Sequence, residues 1–278
     1  MNYGLPYMGS KNNIAKEIVD LLPPAETFVD LFAGGCAVTH AAMLSGKYRR
    51  FIVNDIHVQY PRLFVQAIRG ELPPPRTYTR EEYELNKDHD PIAAICWSFG
   101  NKPGGSYLWG EDIEPIKLAA CRMIIANTWQ ERRIRYMSFM DLLSRRLDHP
   151  TKGISGELQS LERLQSLESS ITVIDMDYRQ VDIPDGAVVY ADPPYVNTAD
   201  YGVRFDHAAF YAWLRAINYP VYVSEYQMPD DFVDIWQKNK ICSMDYRGEN
   251  RNNKRTIEKL FVRLDFADRA KADAGMLI

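Results

Sequence analysis

Apolar positions fall into short runs separated by helical stretches, and the alternation predicts elements in order. Ile14, Ile18, Leu21 and Leu22 recur at helical spacing across residues 11–22, and Pro23-Pro24 ends that helix. TFVDLF (27–32) is a short apolar run fit for a buried strand; Gly34-Gly35 follows, then a small-residue helix from about Cys36 to Leu44, closed by Gly46. RRFIVND (49–55) predicts a second strand and residues 57–69 a second such helix, stopped by Gly70. Strand, helix, strand, helix is the pattern of a parallel α/β sheet.

The pattern then changes. LPPPR (72–76) reads as a linker, and Thr79 with Glu82 fits a capping box. From there to about 168 the periodicity predicts helices and no strand, interrupted by the Gly- and aromatic-rich loop CWSFGNKPGGSYLWG (96–110). Residues 131–147 are basic and amphipathic, and 157–168 repeats LQSLE, a helix too short to be a solenoid. Apolar strands return at 170–177, 186–192 and 220–225, with a helix capped by Asp206 that carries Phe210, Leu214 and Ile217. A short helix is expected at 230–238, then strands at about 241–246 and 256–264 around RGENRNNKR. The expectation is one α/β core split by a helical insertion near 71–168.

Composition changes this picture little. The 278 residues are 46% hydrophobic and 25% charged, as expected of a soluble globular chain with one large core. The longest apolar runs fall short of the roughly 20 residues that span a bilayer, and the start lacks a signal-peptide pattern, so a cytoplasmic setting is expected. The four cysteines and five histidines show no metal-ligand spacing, and no metal is expected. A net charge of −4 does not advertise a nucleic-acid partner, although it says little about a local patch.

Two segments carry candidate chemistry. FVDLFAGGCAV (28–38) is a strand, a glycine turn and a helix start, at the strand ends where α/β sheets bind ligands. It is neither the G-x-G-x-x-G fingerprint nor a Walker sequence. Asp55, about 20 residues on, ends the next strand where a ribose-binding acid belongs. Asp177 ends the strand after the insertion and is placed to reach an adenine or ribose edge. The arrangement suits several nucleoside cofactors, NAD among them. The second segment is YADPPYVN (190–197). Proline locks φ, so the carbonyls of Asp192 and Pro193 become two acceptors of fixed direction, with no competing N–H from the next residue, beside the flat ring of Tyr195. Two acceptors beside a stacking surface match an aromatic amine such as that of a flipped nucleobase. A stiff turn with no chemistry is the plain alternative.

Taken together, the motifs resemble the Dam-like, D12-class DNA adenine methyltransferases. That family opens with aromatic-x-G-x-K, here Tyr7-Met8-Gly9-Ser10-Lys11; its cofactor loop F-x-G-x-G appears as Phe32-Ala33-Gly34-Gly35-Cys36; its catalytic D-P-P-Y is Asp192-Pro193-Pro194-Tyr195. Asp55, Asp177, Ser224-Glu225 and a basic tail loop before a last strand bearing an acid fall in the family's order. Cys36 replaces the second glycine of the loop, with Gly35 expected to supply the flexibility, and Glu225 stands where Asn is frequent.

The resemblance implies a mixed, mostly parallel seven-stranded methyltransferase (Rossmann-like) sheet, with catalytic core 1–70 and 169–278 and target recognition in 71–168. It implies S-adenosylmethionine as cofactor, with Tyr7 and Lys11 bordering its methionine end. Phe32, Ala33, Gly34 and Gly35 would approach it, Asp55 would hold its ribose and Asp177 its adenine side, with Asp192 adjoining. Asp192, Pro193, Pro194 and Tyr195 would hold a flipped adenine in double-stranded DNA. Tyr107, Trp109, Arg247, Arg251, Asn253, Lys254 and Arg255 are candidate DNA contacts. A monomer or weak dimer in a bacterial or phage-infected cell is expected, whether for restriction–modification, phage or housekeeping. The rivals are methylation of the cytosine exocyclic amine, an RNA substrate, and a DNA-binding module without catalysis.

Overall fold

A computed structural model describes residues 3–126, 170–195, 205–241 and 255–275, with scattered positions between 128 and 140. They divide into two compact units: one of residues 11–61 and 169–278, the other of residues 1–10 and 62–168.

The first unit is built on a seven-stranded sheet: β1 (Thr27–Asp30), β2 (Arg50–Asn54), β3 (Ile171–Ile174), β4 (Val188–Ala191), β5 (Val221–Glu225), β6 (Phe232–Ile241) and β7 (Arg255–Arg263). Their order is β3-β2-β1-β4-β5-β7-β6. The first five are mutually parallel, and β7 runs antiparallel to both β5 and β6. β1, β4 and β5 are buried at every position, as central strands covered on both faces must be. On one face Val29, Leu31, Val189, Val223 and Phe261 pack under Phe210 and Leu214. On the other, the Phe28 ring lies 5.0 Å from Tyr48 and 6.5 Å from Phe51.

Helix α1 (Ala15–Leu21) precedes β1, and α2 (Ala37–Ser45) follows it, ended by Gly46 at φ 70°, where a side chain would strain the backbone. α3 (Gln59–Arg69) straddles the division between the units. The expected boundary at residue 70 therefore differs from the division found, and residues 1–10 group with the insertion, where the Met8 amide donates to the Asn101 carbonyl at 3.0 Å.

One expectation fails. Residues 230–238 form most of a strand, β6, rather than a helix. The register slips between Asp234 and Trp236, leaving Ile235 as an extra residue. This bulge lets Phe232 and Ile235, three residues apart, both be buried, which imitates helical spacing. The strand expected at 241–246 and the helices expected at 131–147 and 157–168 lie wholly or largely outside the described residues.

The second unit holds α4 (Arg80–Asn86), α5 (Pro91–Cys96) and α6 (Glu114–Ile124), with no strand among its described residues. α4 opens with the anticipated box, Thr79 and Glu82 each bonding the other's backbone. The last helices of the chain, α7 (His207–Ala216) and α8 (Ala267–Asp273), belong to the first unit. The Asp206 carboxylate accepts from the Ala209 amide and caps α7. No helix among the described residues is long and apolar enough to cross a membrane.

Candidate active site

The five parallel strands run in one direction, so their carboxyl ends lie along one edge of the sheet. Each carries an acid there. Asp30 ends β1, Asp55 follows β2, Asp175 follows β3, Asp192 follows β4 and Glu225 ends β5.

The glycine turn sits above β1. Gly34 (φ 47°) and Cys36 (φ 61°) both take the left-handed conformation. The expected substitution by Gly35 is thus corrected: Cys36 itself adopts the left-handed conformation at the place of the family's glycine. The strain is held by a closed turn, since the Cys36 amide donates to the Ala33 carbonyl at 2.6 Å and its side chain is fully buried. Burial pushes the Cys36 thiol well above its ordinary pKa.

Asp55 fastens this turn. Its Oδ2 accepts from the Gly34 amide at 2.7 Å and its Oδ1 from the His57 amide at 2.8 Å. Burial raises its pKa, and the two amides oppose that rise. Each carboxylate oxygen still has a lone pair for a hydroxyl. Ala33 bonds the Asn54 carbonyl, and Phe32 packs in an aromatic cluster with Tyr178, Phe205 and Phe210 at 5.4–5.8 Å.

Asp30 lies beneath the turn. Its Oδ2 accepts from Thr39 at 2.7 Å, while its buried Oδ1 has no hydrogen-bond partner. Burial, reinforced by the charges of Asp192 and Asp55 and opposed by the Thr39 bond, raises its pKa to about 7. A carboxyl with an open acceptor beside two further acids suits a positively charged guest that carries N–H donors.

Asp177 differs. β3 ends at Ile174, three residues earlier than the expected strand, and Asp177 instead caps a 3-10 turn. Both its oxygens are taken by the Arg179 guanidinium at 2.7 Å, which holds its carboxyl below the usual range. Asn54 fixes this loop, donating to the Met176 carbonyl and accepting from its amide.

The D-P-P-Y turn follows β4. Lys11, 6% exposed, places Nζ 2.9 Å from Asp192 Oδ1 and 4.5 Å from the centre of the Tyr195 ring, over its face. The Tyr195 hydroxyl donates to Glu258 Oε2 at 2.8 Å, and Tyr226 meets its ring edge-on at 4.5 Å. Burial, with the charges of Asp192 and Glu258 adding, raises the Tyr195 pKa well above its ordinary value, so the phenol stays a neutral donor. The Pro194 carbonyl bonds His207 Nε2 at 2.8 Å, which stiffens the turn from α7.

Lys11, Asp192 and Tyr195 therefore come together, as do Gly34 and Asp55. Two contributors were not named as site residues from the sequence. Glu258 sits in the apolar run IEKLFV, 2% exposed, and a buried acid in a strand was the available signal. His207 follows the cap residue Asp206 and reads as surface until the fold brings it to Pro194.

In the second unit, Tyr7 lies at the start of a tight turn, its carbonyl accepting from the Ser10 amide, with Gly9 at φ 79°. The loop 96–110 closes through Phe99–Ser106 and Leu108–Trp97 backbone bonds. Tyr107, expected at a DNA surface, is 4% exposed there: its hydroxyl reaches the Tyr78 carbonyl at 2.7 Å and the rings of Tyr83 and Trp109 flank it. Trp109 is half-buried, and the exposed ring of the loop is Phe99. Arg247, Arg251, Asn253 and Lys254 lie outside the described residues, and Arg255 begins β7. No metal-binding cluster of His, Cys, Asp or Glu occurs among the described residues.

A search of curated proteins returned no match. Residues 7–83 match the family described as D12 class N6 adenine-specific DNA methyltransferase, a stretch that holds Tyr7-x-Gly9-x-Lys11, the glycine turn and Asp55 but ends before Asp192. Over residues 7–83, the match bears out the resemblance to the D12 class N6 adenine-specific DNA methyltransferases drawn from the motifs.

Proposed function

We propose that this chain transfers a methyl group from S-adenosylmethionine to the exocyclic nitrogen of an adenine turned out of double-stranded DNA. The observation that carries the reading is the Lys11–Asp192–Tyr195 arrangement, in which a nitrogen donor already lies at the acid and over the ring. The cofactor supplies an electrophilic methyl on a positively charged sulfur. Asp55 would hold its ribose, and Gly34, Gly35, Ala33 and Phe32 would approach it. Asp30 would face its positive charge, Tyr7 and Lys11 would border its methionine end, and Asp177, paired with Arg179, its adenine side.

Asp192 and the Pro193 carbonyl would accept the two protons of the adenine amine, while Tyr195 supplies the stacking face. Holding both protons leaves the nitrogen lone pair directed at the methyl carbon. S-adenosylmethionine would supply the methyl group, and its sulfur would keep the electron pair of the C–S bond as the N–C bond formed. The nitrogen then gives up a proton, for which Asp192 is the adjacent acceptor. The barrier is lowered by alignment and by a negative group placed where positive charge grows on the amine. Nothing covalent forms with the protein.

The core 1–70 and 169–278 would perform this chemistry, and residues 71–168 would read the DNA. Within them Trp109 and the exposed Phe99 offer rings to bases, with Tyr107 supporting the loop from inside. Arg247, Arg251, Asn253, Lys254 and Arg255 would grip phosphates or base edges. The test is to incubate protein with methyl-labelled S-adenosylmethionine and mixed-sequence duplex DNA, digest the DNA, and identify the labelled base. Label in N6-methyladenine is expected. Label in methylcytosine, or binding without transfer, overturns the reading.

A further inference from the structure

We propose that Lys11 is the resident occupant of the target-base place, and that a base enters only as the Lys11 ammonium withdraws; this rests on the reading of Asp192 and Tyr195 as the base site.

Three observations lead there. Lys11 Nζ stands 2.9 Å from Asp192 Oδ1, the position an amine nitrogen would take. The same atom lies over the face of Tyr195, 4.5 Å from its centre. A base stacked on a ring lies about 3.5 Å above it, at the closest separation of carbon atoms. One ammonium thus touches both the acid and the face that a single base must use, and the two cannot share that volume. Third, Lys11 is almost wholly buried and Asp192 only 18% exposed. A partly buried carboxylate without a cation or donor is strongly disfavoured, and so is a buried ammonium without an acid. Each solves the other's problem while no base is present.

The arrangement has a functional logic. Asp192 stays paired and oriented between turnovers. A weak guest cannot settle there, because it must first displace a charged, ion-paired side chain that also makes a cation–π contact. An adenine amine brings two neutral donors and a broad stacking face, and so compensates where a smaller or donor-poor group would not. Lys11 thereby sets a threshold for entry, in addition to any role beside the cofactor.

The test separates this role from cofactor binding and from folding. Two duplexes are compared by fluorescence anisotropy in the presence of S-adenosylhomocysteine. One carries the adenine that the wild-type protein methylates, and the other an abasic site at that position. The ratio of the two dissociation constants isolates what the base adds. Lys11→Met, which removes the charge and leaves an apolar chain, should shift the ratio in favour of the adenine duplex by about tenfold. Lys11→Arg keeps the ion pair and adds bulk, so it should shift the ratio the other way. Opposite shifts are the signature of an occupant. Equal weakening on both duplexes, or a shift against adenine in Lys11→Met, overturns the proposal. If Lys11→Met does not fold, the direction of the Lys11→Arg shift alone decides. Failure of the underlying function would show earlier, as no label in adenine with the wild-type protein.

Discussion

Asp55 and Asp192 occupy equivalent places, each the first residue after a parallel strand, yet they are held in different ways. The Asp55 oxygens are bound by two backbone amides, Gly34 and His57. Asp192 is paired with the end of a lysine side chain. A backbone amide cannot move without the turn moving; a lysine can swing through four torsions. One acid is therefore a fastener, and the other is available for exchange. The same sheet edge provides both because strand direction brings the acids together, while the loops decide how each is restrained.

That contrast can be broken at several points. Asp192→Ala should lower methyl transfer by about 10³-fold or more while the thermal unfolding midpoint shifts only modestly, since the loss falls on the reacting amine. Parallel collapse of the fold would make Asp192 a fastener too. Asp55→Ala should do the reverse in emphasis: two partly buried amides lose their acceptor and stability falls by about 1–3 kcal/mol, measured by urea unfolding, with cofactor affinity falling alongside.

Asp30 sharpens the comparison through pH. Its pKa in the fold is about 7, against 3.8 for the ordinary group. The folded state therefore binds more protons than the unfolded chain between those values, and stability contributed by the protonated form is lost as pH rises from about 4 to 7. Relative to Asp30→Asn, the wild-type protein should lose on the order of a few kcal/mol across that window and change little above it. Urea midpoints of both proteins at pH 5 and pH 8 check this, and parallel profiles would mean Asp30 is ionised throughout. The smallest effect belongs to Asp177→Ala. Its partner Arg179 is exposed, so the pair should contribute little to stability. Any larger change in cofactor affinity would then report direct contact.

Much of this was legible in the amino-acid order. The buried strands showed as apolar runs, the capping box at Thr79 and the cap at Asp206 as local chemistry, and D-P-P-Y as two prolines aiming an acid. These depend on neighbours in sequence. What escaped depends on distant ones. Glu258 meets Tyr195 across 63 positions. β6 was hidden by a bulge that changes which face each residue meets. Tyr107 looked like a contact surface because a glycine-rich loop suggests exposure, whereas Arg80, Tyr83 and Trp109 enclose it.

The strand order has a consequence for how the protein comes into being. β7 is the last strand among the described residues but lies between β5 and β6. A ribosome releasing this polypeptide delivers β6 before the neighbour it needs, and it can join the sheet only once β7 has emerged. Glu258 arrives with that final strand and supplies the hydrogen bond that steadies the Tyr195 ring. A nascent chain that stops short of β7 would already carry Asp192 and Tyr195, but without that anchor. The order of the strands thereby delays a finished site until β7 has been made.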